Sequence, residues 1–241
     1  MNSKYNYVRL FEQEMLLMQK TYIIIRVDGK NFKKFTKAHD FEKPNDMRGI
    51  NAMNSAAEFC MKEFTDIKIA YGQSDEYSFM FEPSKNPCQR RTQKLVSLIA
   101  STFTSHYVMN GSWKYPPSFD ARAVLYPQKI QMMDYFRWRQ VDCHINNLYN
   151  ICFWNLVKDG MSTKESMETL KNTLSSDKNE ILFSKFKINY NNEPEVFRKG
   201  TTIIRSKTSP SLNISSLTSK SLYIYHGDLI KDSFWEEVEI E

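Results

Sequence analysis

Two adjacent carboxylates, Asp75 and Glu76, stand in the middle of a hairpin pattern at residues 67–81. Apolar residues alternate with smaller or polar ones on both sides of residues 72–75, which predicts two strands joined by a loop of about four residues. Successive strand side chains point to opposite faces, so one carboxylate can enter a site while the other supports it. The alternative is a polar turn, in which aspartate is common because its side chain caps its own backbone.

A third carboxylate, Asp28, follows the apolar run YIIIRV at residues 22–27 and precedes Gly29. Such a run is typical of a central strand covered on both faces. A glycine beside a strand end leaves a backbone carbonyl open to a ligand. Asp28 and Asp75 on neighbouring strands would hold two divalent cations for nucleotidyl transfer, and Mg²⁺ suits such a site because it takes oxygen ligands, few of them from protein.

Basic residues flank the first aspartate. The segment KNFKKF at 30–35 is compatible with phosphate or base contacts and with the first turn of an amphipathic helix that has Phe32 and Phe35 in the core. Both can hold at once, because alternating faces can serve both. The segment KPND at 43–46 opens a second helix, whose N-terminus either seats a triphosphate or is simply capped at the surface. The order strand, helix, strand, strand predicts an α/β (α+β) fold with a ferredoxin-like, polymerase-palm-type antiparallel sheet and flanking helices.

The remaining patterns predict further helices and two strands. We expect helices over 1–20, 88–108 and 129–159, the second with Arg90, Arg91 and Lys94 facing outward, a capping box at Ser162, strands at 119–126 and 199–205, a mobile loop at 206–221, and a short helix or frayed tail at 235–237. Within 143–150 the residues His144, Asn147 and Leu148 share one helical face, which favours a hydrogen-bonded helix interior.

Composition limits the class of protein. The chain has 241 residues, a formal net charge of +5, 41% hydrophobic and 25% charged residues, as expected of a globular enzyme with or without an RNA partner. Its four cysteines form no C-x-x-C pair, which argues against a structural zinc site. No apolar run approaches the roughly 18 residues of a membrane span and no signal-peptide pattern opens the chain, so we expect an intracellular protein, cytoplasmic and/or nuclear. With no Walker-type loop, metals and side chains must hold any nucleotide.

Seven segments together resemble the tRNA-histidine guanylyltransferase family of 3′-to-5′ polymerases. They are RVDGKNFKKF at 26–35, KPND at 43–46, YGQSDEYSF at 71–79, WRQVDCHINNLYN at 138–150, DKNEILF at 177–183, INYNNE at 188–193 and RKGT at 198–201. The HINNLYN stretch resembles the eukaryotic members rather than the repair and editing branch. The resemblance implies a palm-like catalytic domain at 1–137, an added helical and C-terminal region at 138–241, a homotetramer, and the use of ATP, GTP and two Mg²⁺ ions. The segment 109–116 looks shorter than the family's loop, and the chain after about residue 206 has no clear counterpart.

The resemblance also implies roles for individual residues. Metal ligands would be Asp28, the carbonyl of Gly29, and Asp75, with Glu76 a further catalytic residue. Asp28, Gly29 and Asp75 also count among the nucleotide-binding residues, with Lys30, Asn31, Phe32, Lys33 and Ser74, and Lys43, Asn45 and Asp46 on the triphosphate side. Activation and tRNA handling would fall to Arg26, Lys94, Arg122, His144, Asn147, Lys178 and Asn189.

The implied reaction adds a guanylate to the 5′ end of histidine tRNA. ATP adenylylates the 5′-monophosphate, the 3′-hydroxyl of GTP displaces AMP, and pyrophosphate is removed. The alternative within the family is a polymerase that repairs or edits truncated tRNA 5′ ends. Outside it, a nucleotide-binding module with an inactive palm would lack turnover of ATP, and a nucleotidyl cyclase would release a cyclic product without RNA.

Overall fold

A computed structural model describes residues 3–217 and 221–241. The strands are β1 Tyr22–Gly29, β2 Ile67–Gln73, β3 Glu76–Phe81, β4 Phe119–Tyr126, β5 Thr201–Arg205, β6 Ser215–Ser216 and β7 Leu222–Tyr225. The helices are α1 Phe32–Ala38, α2 Met47–Glu63, α3 Thr92–Met109, α4 Lys129–Lys158, α5 Thr163–Leu170, α6 Ser175–Phe186, α7 Glu195–Lys199 and α8 Asp232–Glu237, and 3-10 turns lie at Asn6–Phe11, Pro87–Arg90 and Tyr190–Asn192.

The seven strands in the described part of the chain form one antiparallel sheet in the order β4-β1-β3-β2-β5-β7-β6. The order β4-β1-β3-β2 of the first four strands is ferredoxin-like, as the sequence predicts. Strands β5, β7 and β6 then extend the sheet beyond β2. The boundary that the resemblance implies at 137/138 falls inside α4, and the later strands complete the same sheet.

Strand β1 is apolar along its length because both of its faces are covered. Ile23, Ile25 and Val27 pack with the core of α1, α2 and α3, whereas Ile24 packs with Met80 and the core of α4 and α8. A third cluster joins the C-terminal half of α4 to α5 and α6, where the residues are Leu148, Ile151, Cys152, Leu156, Leu170, Leu182 and Tyr190. Helix α4 therefore links the sheet to the helical region.

Several expectations from the sequence are wrong in detail. The hairpin loop has two residues, Ser74 and Asp75, rather than four, because Gly72 and Gln73 pair with Tyr77 and Glu76. The ring of Tyr77 packs directly on Gly72 across the two strands. A Cβ added at Gly72 would lie 2.1 Å from Cε2 of Tyr77, so this close packing requires a glycine.

The N-terminal region forms no long helix. Among the described residues before β1 the structure has one 3-10 turn, Asn6–Phe11, which buries none of its side chains. Residues 1–2 of the expected helix lie outside the described residues. Helix α3 begins at Thr92 rather than 88, because residues Pro87–Arg90 form a 3-10 turn.

Arg90 does not face outward. Its side chain is 1% exposed and donates hydrogen bonds to the carbonyl oxygens of Met18, Thr21, Pro83 and Lys85. Burial lowers its pKa. Arg90 therefore holds together backbone segments and is removed from the residues available to RNA.

The C-terminal region is more structured than the sequence predicts. Trp235 is buried in α8, so residues 235–237 form a packed helix. The expected loop at 206–221 contains β6, and its residues 218–220 lie outside the described part of the chain. Within the described residues, no helix combines the length and the apolar character needed to cross a membrane.

Candidate active site

The end of β1 and the β2–β3 turn meet at Gly29. Its backbone N–H donates to the carbonyl oxygen of Asp75 at 3.0 Å. A Cβ at this position would lie 3.0 Å from Asp75 Oδ2 and 2.6 Å from the ring of Phe32. Only glycine lets the strand end, the turn and the aromatic ring approach so closely. Asp28 is in register with Glu76 on β3, which places Asp28 beside the turn.

The electrostatics of the turn favour a cation. The pKa of Asp75 is raised to about 6, chiefly by burial and also by the nearby Asp28, and the Ser74 hydroxyl, which donates to Asp75 Oδ1 at 3.0 Å, acts in the opposite direction. Two carboxylates so placed are costly without a positive charge between them. The described residues contain no group of three or more His, Cys, Asp or Glu side chains suited to a metal. Two aspartates and a backbone carbonyl fit Mg²⁺, which takes its other ligands from water and phosphate.

Glu76 points away from Asp75, toward α4. Arg139 Nη1 lies 3.1 Å from both carboxylate oxygens of Glu76, and Gln73 Nε2 lies 3.3 Å from Oε1. Arg139 and Gln73 also contact Asp142 Oδ2, at 3.4 and 3.0 Å. The expected division of the two carboxylates between opposite sides is thus present. In this structure Glu76 anchors the turn to α4.

A pair of arginines lies one row away on the sheet. Arg26 of β1 is in register with Arg122 of β4, two positions from Asp28 and therefore on its face of the sheet. Arg122 pairs with Asp120 at 2.7 Å, whereas the Nε atom of Arg26 is buried without a partner among the described residues. Like charges directly opposite one another destabilise a sheet, so this pair suits an anionic ligand.

A cleft of about 500 Å³ opens between α1, the start of α2 and α4. Lys33 and Lys43 line one part of it, and Tyr149, Phe153 and Trp154 of α4 line another. Its further lining residues include Phe32, Asn45, Asp46, Ser74 and Asp75. Burial lowers the pKa of Lys43, an effect that Lys33 reinforces and Asp46 opposes.

The residues predicted to bind the nucleotide differ in whether their side chains already bond within the protein, are buried or are exposed. Asp46 caps α2, accepting from the backbone N–H of Arg48 at 2.8 Å, and its ion pair with Arg48 holds its pKa at about 2. Asn45 Nδ2 donates to Asn147 Oδ1 of α4 at 3.0 Å. Phe32 is buried, while Lys30 and Asn31 are exposed, and Asn31 has a left-handed backbone with φ of 54° just before α1.

Besides Arg26 and Arg122, four residues expected to act in activation or tRNA handling line neither this cleft nor the pocket described next. Lys94 is exposed on α3. His144 packs its ring on Tyr190, with centroids 5.3 Å apart, and burial, aided by Arg198, lowers its pKa. Lys178 Nζ donates to the carbonyl and hydroxyl oxygens of Thr173 at 2.7 and 2.8 Å, and the side chain of Asn189 caps a 3-10 turn.

A second pocket, which we call the amide pocket, lies beside the same turn and has a volume of about 270 Å³. It is lined by Pro44, Asn45, Ile50, Gln73, Ser74, Asp75, Glu76, Asp142, Cys143, Asn146, Asn147, Asn150, Val196 and Phe197. Of these, the sequence interpretation assigned no role to Gln73, Asp142, Asn146 or Asn150. The available signal was their spacing: 142, 146 and 150 recur every four residues, which puts them on one side of a helix.

The fold and this site define a class. An antiparallel palm-type sheet, with aspartates at neighbouring strand ends and a basic and aromatic cleft beside them, is the framework of a nucleotidyltransferase. Comparison with known proteins identifies the branch. The family described as tRNAHis guanylyltransferase matches residues 5–127, and the family's C-terminal domain matches residues 130–227. The chain therefore belongs to the tRNA(His) guanylyltransferase family.

Individual relatives agree over nearly the whole chain. The tRNA(His) guanylyltransferase of Schizosaccharomyces pombe is 49% identical over 247 residues, covering 97% of this chain and 95% of the relative. The crystal structure of the Saccharomyces cerevisiae tRNA(His) guanylyltransferase is 44% identical, with a TM-score of 0.79, covering 83% of this chain and 93% of that one. A bacterial tRNA(His) guanylyltransferase-like protein in complex with ATP shares the fold, with a TM-score of 0.77 at 23% identity, over 97% of this chain and 96% of that one. The expectation that the chain lacks a counterpart after residue 206 is wrong, because the C-terminal domain matches to residue 227.

Proposed function

We propose that this protein adds a guanylate to the 5′ end of tRNA(His) in the 3′-to-5′ direction, with ATP and GTP as substrates and two Mg²⁺ ions at Asp28, Gly29 and Asp75. The observation that carries the proposal is the meeting of the two aspartates at Gly29, where the backbone contact of 3.0 Å leaves no room for a side chain. Membership of the family supports the choice of substrates.

Three bond changes make up the proposed reaction. An oxygen of the tRNA 5′-monophosphate attacks the α-phosphorus of ATP, and pyrophosphate leaves. The 3′-hydroxyl of GTP then loses its proton and attacks the 5′ phosphorus, and AMP leaves. Finally water attacks the α-phosphorus of the added guanylate, and pyrophosphate leaves. When bound, Mg²⁺ lowers the proton affinity of an attacking hydroxyl and stabilises a leaving phosphate oxygen.

The chain's own residues would position these groups. Lys33 and Lys43 line the larger cleft and suit the triphosphate, and the aromatic wall of α4 suits a base. The Arg26–Arg122 pair suits the 5′ phosphate of the RNA, since it lies on the same sheet face as Asp28 and has capacity for an anion. The nucleotide and the RNA end would thereby approach Asp28 and Asp75 from different sides.

Assembly and location belong to the same proposal. Leu10, Phe11 and Leu16 precede β1 and are 86%, 79% and 68% exposed, which supports burial of this segment between subunits of a homotetramer. All four cysteines are free, which supports an intracellular, reducing environment, cytoplasmic and/or nuclear.

The test is incubation with 5′-monophosphorylated tRNA(His), ATP and labelled GTP. We expect label at the tRNA 5′ end and its loss in both Asp28→Asn and Asp75→Asn, each folded by circular dichroism. Asp134→Asn is the matched control, because this exposed aspartate of α4 lines neither cleft. Wild-type guanylate addition by either site variant would contradict the proposal. Faster addition to a non-histidine tRNA lacking its first nucleotide would instead favour a repair polymerase.

A further inference from the structure

The amide pocket offers hydrogen-bond acceptors and no cation. Its lining contains Asp75, Glu76 and Asp142 but no lysine, arginine or histidine. The nearby Arg139 already pairs with Glu76 and contacts Asp142. A phosphate would meet carboxylates there without a compensating charge, so the pocket does not suit a phosphate.

The amide groups are oriented by the protein itself. Asn45 Nδ2 donates to Asn147, Asn147 Nδ2 to Tyr190, Gln73 Nε2 to Glu76 and Asp142, and Asn146 Nδ2 to Asp142. These bonds engage one N–H of each of the three asparagines and both N–H groups of Gln73. The side-chain oxygens of Asn45, Gln73 and Asn146 receive no hydrogen bond from the described residues, and Asn150 has no side-chain hydrogen bond among them.

An acceptor-lined pocket of fixed orientation selects a neutral ligand that carries donors. Ribose hydroxyls and the amino groups of a base both meet this description. The pocket shares Ser74 and Asp75 with the larger cleft, so its contents lie beside the reacting carboxylate. In the proposed transfer the group that reacts is a 3′-hydroxyl, and the atoms nearest to it are those of its own ribose. The sugar therefore fits this position better than the base.

We propose that the amide pocket binds the ribose hydroxyls of the attacking GTP, and that Asn146 and Asn150 make the enzyme select ribonucleotides over deoxyribonucleotides at this step. The inference rests on the proposed function for the identity of the nucleotide. The 2′-hydroxyl donates to an amide oxygen of the pocket, which orients the adjacent 3′-hydroxyl for attack.

The experiment uses tRNA(His) with a 5′-triphosphate, which needs no adenylylation, and compares GTP with 2′-deoxyGTP, which keeps the reacting 3′-hydroxyl. We expect the wild type to prefer GTP by roughly 3- to 10-fold in kcat/KM, the size of one neutral hydrogen bond. Asn146→Ala and Asn150→Ala should lose most of this preference by slowing GTP alone. Both side chains are exposed, so the variants should fold. Asn155→Ala is the matched control on the same helix, since among the described residues the Asn155 side chain bonds only to the Ile151 carbonyl, and Asn155 lines neither cleft.

Two further arms separate the outcomes. Inosine triphosphate lacks the amino group of guanine. If the variants change the preference between GTP and inosine triphosphate but leave the preference between GTP and 2′-deoxyGTP as in the wild type, the pocket binds the base. That result would overturn the proposal. Equal GTP preference in wild type and both variants would also overturn it. A wild type that adds no guanylate refutes the proposed function instead. Equilibrium binding of guanosine and 2′-deoxyguanosine still tests the pocket in that case. We expect the wild type to bind guanosine more tightly than 2′-deoxyguanosine, and Asn146→Ala and Asn150→Ala to lose most of this difference.

Discussion

The ion pair between Arg139 and Glu76 fixes the catalytic hairpin to α4, and its loss should destabilise the whole fold. Arg139 is 5% exposed, and its Nη1 atom lies 3.1 Å from each oxygen of Glu76. In Arg139→Met an apolar side chain replaces the guanidinium, and of the hydrogen bonds to Glu76 among the described residues only that from the Gln73 amide at 3.3 Å remains. Removing one partner of a buried pair costs about 3–5 kcal/mol. Because the Glu76 side chain is 12% exposed, we expect the lower end, about 3 kcal/mol.

Thermal unfolding measures this cost. A loss of about 3 kcal/mol should lower Tm by about 6–12 °C in a chain of this size. Adding Glu76→Gln to Arg139→Met removes the stranded charge and should recover about 1–2 kcal/mol. Arg137→Met is the matched control on the same helix, because its partners Asp134 and Asp232 are exposed and such pairs contribute about 0–1 kcal/mol. A Tm of Arg139→Met equal to that of Arg137→Met, or a double variant as unstable as the sum of its single changes, would refute the reasoning.

Three other predictions follow from contacts away from this pair. The Arg48 side chain holds the pKa of Asp46 at about 2. Ionised Asp46 therefore stabilises the folded state above about pH 4, and this contribution is lost as the pH falls through 2. Asp46→Asn should flatten the dependence of Tm on pH in that window. Arg90→Ala should lower Tm sharply, because the Arg90 side chain is buried. Lys94→Gln should leave Tm unchanged and should reduce the slope of log affinity for tRNA against log salt concentration by about 0.7–0.9. An unchanged slope would show that Lys94 is solvated and contacts no phosphate. His144→Ala and Lys178→Ala should slow single-turnover addition to 5′-monophosphorylated tRNA and recover on 5′-triphosphorylated tRNA, unless they serve only packing.

The carboxylate site could be predicted because its signals are local in sequence. A strand covered on both faces reads as a continuous apolar run, so β1 and its end at Asp28 and Gly29 were visible without the fold. The adjacent carboxylates of the hairpin, Asp75 and Glu76, were visible because the alternating pattern on both sides of them is also local. The loop length was not, since it depends on the ring of Tyr77 lying over Gly72, a contact across the two strands.

The environment of Arg90 could not be predicted, because its acceptors are scattered along the chain. Two of them, Met18 and Thr21, lie 72 and 69 positions away in sequence. An arginine at the start of a helix ordinarily faces solvent, and only the fold brings four backbone oxygens around this one. The later strands were difficult for another reason: β6 and β7 have two and four residues, too short to show alternation.

The amide pocket could not be predicted for the same reason as the environment of Arg90, because residues far apart in sequence form it. Asn45 and Asn147 are 102 positions apart, so no window of sequence pairs them. Helix α4 joins them because it has 30 residues, which extend about 45 Å from the sheet to the helical region. The contact of Arg139 with Glu76 fixes the rotation of α4 about its axis. Asn146 and Asn150 lie further along the same helix and line the pocket beside the β2–β3 turn. The ion pair that stabilises the hairpin therefore also sets the direction in which Asn146 and Asn150 point, and the geometry of the pocket depends on the same contact as the geometry of Asp75.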